Sequence, residues 1–97
     1  MKKSTAIERL SASKQDLSRL GVMKVGLFGS TVRGESSTHS DIDVLIDFYP
    51  EKETYGNYLS VCDLLEKRFE HTKVDVVTIK GLSPFVGETI LKEVEYV

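Results

Sequence analysis

The chain has no tryptophan, one cysteine and two prolines among its 97 residues. A lone Cys62 closes no internal disulfide, which excludes a stapled secreted fold and makes a reducing cytoplasm the expected compartment. No apolar run lasts more than a few residues, whereas a membrane-spanning helix needs about 20. The basic start at Met1, Lys2 and Lys3 leads into Ser4 and Thr5 rather than an apolar stretch, so no secretory leader is expected. A basic surplus is missing as well. Thirteen Lys and Arg stand against 15 Asp and Glu, net −2. That balance speaks against a protein that grips long nucleic acid, where phosphate neutralisation supplies much of the affinity. A nucleotide held through metal ions needs no such surplus.

Three familiar site motifs are absent too. The spacing of Gly29 and Gly34 suits a P-loop, but Glu35 stands where that loop requires Lys. Glycines 26, 29 and 34 do not form the dinucleotide fingerprint, and no Cys/His cluster offers a zinc site.

What remains is an ordinary mixture, 40% hydrophobic and 29% charged, enough for one two-layer core. Residues 1–97 are expected to form a single domain without repeats or linkers. Residues 4–20 read as one bent helix or two short ones. Ile7, Leu10, Leu17 and Leu20 share a face, and Ser13 with Asp16 is a candidate capping pair at the interruption. Gly21 stops this segment. Residues 23–28 form a strand apolar on both faces, as in a central position, with Gly26 leaving room for a close neighbour. Residues 30–33 make a short helical turn ended by Gly34, and residues 35–40 a polar loop. Along a second strand, 42–48, Ile42, Val44, Ile46 and Phe48 face the core while Asp41, Asp43, Leu45 and Asp47 face the other way. Tyr58, Val61, Cys62, Leu65 and Phe69 mark an amphipathic helix over 57–70, in which Cys62 reads as a small core residue. A third strand covers 73–79. Ser83 and Pro84 then cap a last helix to about residue 93, with Phe85, Ile90, Leu91 and Val94 as its buried candidates. The order predicts a small α/β (α+β) fold, a mixed sheet with flanking helices.

Asp41 and Asp43 project from one strand face with Cα atoms roughly 6.5–7 Å apart, at ~3.3 Å per residue. Two carboxylates so placed can converge on hard divalent cations, and without a cation they repel each other. Asp75 interrupts an apolar strand where an unpaired carboxylate is expensive, which makes it the best third ligand if its strand neighbours 42–48. Three carboxylates on adjacent strands point to a two-Mg²⁺ phosphoryl- or nucleotidyl-transfer centre. Gly29 permits a sharp exit from its strand, the amides after it can face an anion, and the Ser30 hydroxyl can donate to a phosphate oxygen. Arg33, one turn on, is placed to meet a triphosphate. Asp47 reads as an exposed strand end, His39 as a solvated loop residue and His71 as surface.

The runs Leu27-Phe28-Gly29-Ser30-Thr31-Val32-Arg33-Gly34-Glu35 and Ser40-Asp41-Ile42-Asp43-Val44-Leu45 resemble the minimal nucleotidyltransferases of the DNA polymerase beta superfamily. Their mark is Gly-Ser, ten residues, then Asp-x-Asp, here Gly29-Ser30 and Asp41-Ile42-Asp43. The likeness continues through Val74-Asp75-Val76-Val77-Thr78 to the closing Ile90-Leu91-Lys92-Glu93-Val94-Glu95-Tyr96-Val97; Val32 departs from the usual Ala. The resemblance implies that Asp41 and Asp43 ligate both Mg²⁺ ions and that Asp75 holds the ion near the nucleophile. Gly29 and Ser30 would bind the β- and γ-phosphates of ATP, whose AMP is transferred as pyrophosphate leaves. It further implies the antitoxin of a type VII-like toxin–antitoxin pair, adding AMP to a tyrosine of a HEPN-family ribonuclease toxin. Two alternatives are an antitoxin that acts mainly by binding, through Tyr49, Tyr55 and Tyr58, and a small-molecule transferase resembling the aminoglycoside enzymes. The short chain, with no second domain for an acceptor pocket, argues against the latter.

Overall fold

The computed structural model describes residues 1–34, 41–70 and 72–97. The expected loop at 35–40, with His39, and the expected surface position of His71 lie outside the described residues.

A first helix, α1 (Lys3–Arg19), runs without a break. Ser13 does not start a second helix. Its hydroxyl, fully buried, donates to the carbonyl of Arg9 one turn back at 2.9 Å, so the polar group is satisfied inside the helix. Asp16 pairs with Arg19 and with Arg68 rather than capping Ser13. Gly21, at φ +89°, turns the chain into β1 (Val22–Phe28). A single turn, α2 (Ser30–Arg33), follows, closed by left-handed Gly34. β2 spans Ile42–Phe48. A 3₁₀ turn at Pro50–Lys52 leads to α3 (Tyr55–Arg68), which begins two residues earlier than its apolar stripe suggested. Thr54 supplies the reason: its side chain accepts from the amide of Asn57 and so caps the helix ahead of Tyr55. β3 (Val74–Thr78), a second 3₁₀ turn at Ile79–Gly81, α4 (Pro84–Glu93) and β4 (Glu95–Tyr96) complete the described elements. Two residues are too few to show a periodicity, which is why β4 is invisible in the sequence.

The sheet order is β3-β2-β1-β4. β1 pairs antiparallel with β2 and β4, and β2 pairs parallel with β3 through the α3 crossover, so the sheet is mixed as expected. β1 lies between two neighbours, in agreement with its apolar faces. The main core occupies one face. Val25, Leu27, Ile42, Val44, Ile46 and Phe48 meet Leu10 and Leu17 of α1 and Val61 and Leu65 of α3, with Phe69 just beyond it. On the other face Phe28 and Leu45 meet Ile90 of α4 in a smaller cluster.

The phase of α4 differs from the expected one. Phe85 is 90% exposed and Leu91 is exposed as well, while Gly87 and Ile90 are buried and Val94 is partly so. Starting from the Ser83 cap, residues 87, 90 and 94 fall on the inward face. A Cβ at Gly87 would lie 3.0 Å from that of Leu82, so the glycine is itself the packing contact. Its cost to helix propensity is offset by that close approach.

Gly26 is the corresponding contact in the sheet. A Cβ there would stand 2.7 Å from the backbone oxygen of Glu95 and 2.8 Å from Val94 Cγ2. Gly26→Val is expected to force β4 off β1 and to lower the unfolding free energy by about 1–3 kcal/mol, the usual cost of overpacking. Urea denaturation of both chains checks this, and equal midpoints would refute the close-approach account.

Candidate active site

The parallel register of β2 and β3 sets Asp43 directly beside Asp75. Adjacent strands lie about 4.8 Å apart, so two carboxylates on the same face of such a pair share one space. Asp41 sits just before β2, where Ile42 donates its amide to the carbonyl of Lys73. The three expected carboxylates are thus gathered at one end of neighbouring strands, on the face that also carries α4. Asp47, further along β2, is paired in register with Lys24 and lies away from them.

β1 brings the other half. Its register pairs Phe28 with Asp43, so the chain leaves β1 alongside the carboxylates. Gly29 turns it there at φ +76°, and a Cβ on Gly29 would collide with the Asp43 carboxylate. Glycine is required on both counts, conformation and space. Ser30 follows as the first residue of α2, half-buried.

Arg33 closes α2, and its Nη1 donates to both oxygens of Glu93, at 3.2 and 3.1 Å. Glu93 Oε1 also accepts from the amide of Gly29 at 2.8 Å. Glu93 escapes the sequence reading. The signal was present nonetheless: it is an acidic residue three positions after Ile90, at the helix end where the macrodipole disfavours a carboxylate. Lys73 was also missed. Its ammonium lies 4.0 Å from Asp41 and 3.8 Å from Asp75 and offsets part of their charge.

A cleft of about 670 Å³ opens beside these groups. Asp43 and Asp75 lie in its wall, with Tyr58, Cys62, Val86 and Ile90 among the other lining residues. Tyr58 donates its hydroxyl to the carbonyl of Val76 at 2.9 Å, which ties α3 to the edge strand. Cys62 is partly buried, packed against the main core as expected and also lining this wall, and burial pushes its thiol up. That favours the inert thiol form at neutral pH.

Burial raises the Asp43 carboxyl above the usual range, and the charges of Asp75 and Asp41 raise it further; Arg33 opposes them. A divalent cation would reverse this, since it neutralises the carboxylates that now repel one another. In side-chain position the donors are not drawn together as a coordination cage, and among the described residues no such group of His, Cys, Asp or Glu is closed. In donor type, oxygen only, and in their shared strand ends they fit a hard cation.

Between its unfolded-state value and its raised folded-state value, Asp43 keeps a proton that the unfolded chain has released. Stability therefore falls as pH climbs through that window. Without added metal, Asp43→Asn is expected to melt higher than the parent chain near neutral pH. The advantage should vanish below about pH 3, where the carboxyl is protonated in both states. Thermal melts across pH test this; a lower melting temperature for Asp43→Asn at neutral pH would contradict it.

Comparison with known proteins agrees with this architecture. Residues 10–97 match the family model of the nucleotidyltransferase domain. The protein adenylyltransferase MntA of Thermococcus cleftensis is 38% identical over 89 residues, covering 91% of this chain and 88% of that one. A solved structure described as a minimal nucleotidyltransferase superposes with a TM-score of 0.85 at 32% identity, covering 98% of this chain and 95% of the other. A toxin–antitoxin structure solved with AMP-PNP shares the fold at a TM-score of 0.67 and 17% identity, over 99% of this chain and 72% of that one. The chain belongs to the nucleotidyltransferase domain family, among its minimal members.

Proposed function

We propose that this nucleotidyltransferase moves AMP from ATP to a hydroxyl on a partner protein, with Asp41, Asp43 and Asp75 as the ligands of two Mg²⁺ ions. The observation that carries the reading is the in-register pair Asp43 and Asp75 standing next to the Gly29-Ser30 turn. The activity named for the Thermococcus cleftensis relative supports a protein acceptor. The toxin–antitoxin neighbour solved with AMP-PNP supports ATP as donor and a toxin as partner. The resemblance carried by Gly29-Ser30 and Asp41-Ile42-Asp43 supplies the finer reading: the acceptor is a tyrosine of a HEPN-family toxin and this chain is its antitoxin, working in the cytoplasm. Among the described residues no helix is long and apolar enough to cross a membrane.

In this mechanism Gly29 and Ser30 receive the β- and γ-phosphates, the hydroxyl of Ser30 donating to a phosphate oxygen. Asp75, on the cleft wall, orients the acceptor hydroxyl and takes its proton. The acceptor oxygen then bonds to the α-phosphorus while the bond from that phosphorus to the bridging oxygen breaks, and pyrophosphate departs. Bound magnesium supplies charge neutralisation for the phosphates and the carboxylates. Most of the remaining task is alignment, which a rigid strand pair performs without further groups.

Labelled ATP, Mg²⁺ and the product of the adjacent gene, incubated with this chain, should give a labelled neighbour. Asp41→Asn with Asp43→Asn should cut transfer by at least about a hundredfold, since metal ions contribute several kcal/mol to such reactions. Chelation with EDTA should stop transfer altogether. Transfer that survives the double substitution would sink the site assignment.

A second reading is an antitoxin that works mainly by covering its toxin. Exposed Tyr49 and Tyr55, the latter 76% exposed, favour it as aromatic anchors. Tyr58 is spent on the Val76 carbonyl and does not contribute. Co-expression separates the readings. Catalysis predicts that the Asp41→Asn, Asp43→Asn chain still binds the toxin but no longer protects the cell, whereas full protection would favour covering.

A further inference from the structure

We infer that Glu93 is a positioning residue for the nucleotide-binding turn: it clamps both ends of α2 and has its own charge cancelled by Arg33. The inference rests on the proposed ATP site. It gives Arg33 an indirect role in place of the direct triphosphate contact expected from the sequence.

Glu93 is the last residue of α4, where local helix physics favours a cation and disfavours a carboxylate. Its tertiary partners account for its presence. Gly29, the residue before α2, donates its amide to Oε1 at 2.8 Å. Arg33, the final residue of α2, donates to Oε1 and Oε2 at 3.2 and 3.1 Å. One carboxylate, 21% exposed, therefore grips the start and the end of a four-residue helix. A single turn is too short to hold itself in water, because the nucleation cost exceeds what its few hydrogen bonds return. Its backbone ties include the amide of Arg33 to the carbonyl of Gly29 at 3.2 Å and the amide of Gly34 to the carbonyl of Thr31 at 3.3 Å, neither of which fixes the turn against the rest of the fold.

Gly29 cannot relax alone. Its positive φ and its closeness to Asp43 couple any shift of the turn to the carboxylates. Phosphates held by Gly29 and Ser30 would thus be misaligned by a movement of a fraction of an ångström to an ångström, which is costly for transfer chemistry. Charge adds a second requirement. An uncompensated Glu93 beside the turn would repel a triphosphate, and the guanidinium of Arg33 removes that repulsion.

The test uses the intact chain with its partner and four variants: Glu93→Gln, Glu93→Ala, Arg33→Ala, and Arg33→Ala combined with Glu93→Gln. Glutamine keeps an acceptor for the Gly29 amide and loses the charge, so Glu93→Gln should raise the ATP KM by about threefold with kcat preserved. Glu93→Ala should raise it by roughly tenfold or more, with faster hydrogen exchange at the Gly29 amide by NMR. Arg33→Ala should raise KM by roughly tenfold, and adding Glu93→Gln should bring it back to the Glu93→Gln level. A KM for the double variant as poor as that of Arg33→Ala would show Arg33 touching phosphate directly and overturn its indirect role. Unchanged exchange at Gly29 in Glu93→Ala, with KM also unmoved, would overturn the clamp; should Glu93→Ala not fold, an unmoved KM in Glu93→Gln would overturn it. If the parent chain transfers no AMP, the proposed function fails by itself; exchange at Gly29 then decides the clamp, retained protection in Glu93→Ala overturning it and lost protection upholding it.

Discussion

Two strands running in the same direction place like charges side by side, and the site depends on that placement. The β2–β3 register sets Asp43 against Asp75 on the face away from the main core. Burying a carboxylate and setting like charges beside it are both destabilising, and burial first, then Asp75 and Asp41, raise the proton affinity of Asp43. A fold that keeps such a pair bears that cost in the core on the opposite face. There the aliphatic residues of β1 and β2 are sealed by α1 and α3. At roughly 25 cal/mol per Å² of apolar area removed from water, such a core can carry a local penalty without unfolding.

The second face is arranged differently. Its apolar cluster is small: among the described residues Phe28, Leu45 and Ile90 are its buried members, and carboxylates and an open cleft share that face. α4 contributes there through absence of bulk at Gly87, through Ile90, and through Glu93 reaching back to the turn after β1. The last helix thereby ties the end of the chain to the start of the candidate site, a separation of 64 residues. The same interactions that hold the fold there also set the geometry of the chemistry.

Much of this was legible in the residues. The face of β2 holding Ile42, Val44, Ile46 and Phe48 is buried as its alternation required, because a period of two leaves a strand no other choice. Gly29, Gly34 and Gly21 all adopt positive φ, since each stands where a helix or strand must turn abruptly. The phase of α4 was not legible, because counting apolar residues favours Phe85 and Leu91 over a glycine. A glycine contact leaves no mark in a hydrophobic pattern. Nor was the continuity of α1 decided locally, since the same Ser13 can cap a helix or satisfy itself within one.

The sequence by itself determined the first three strands, the turn glycines and the identity of the candidate ligands, since backbone sterics and burial act within a few residues. Only the tertiary structure decided which carboxylates meet, that Arg33 is held by Glu93, and that β4 exists. Those outcomes depend on strand register and on pairings across most of the chain. Their free energy comes from contacts that no local pattern encodes.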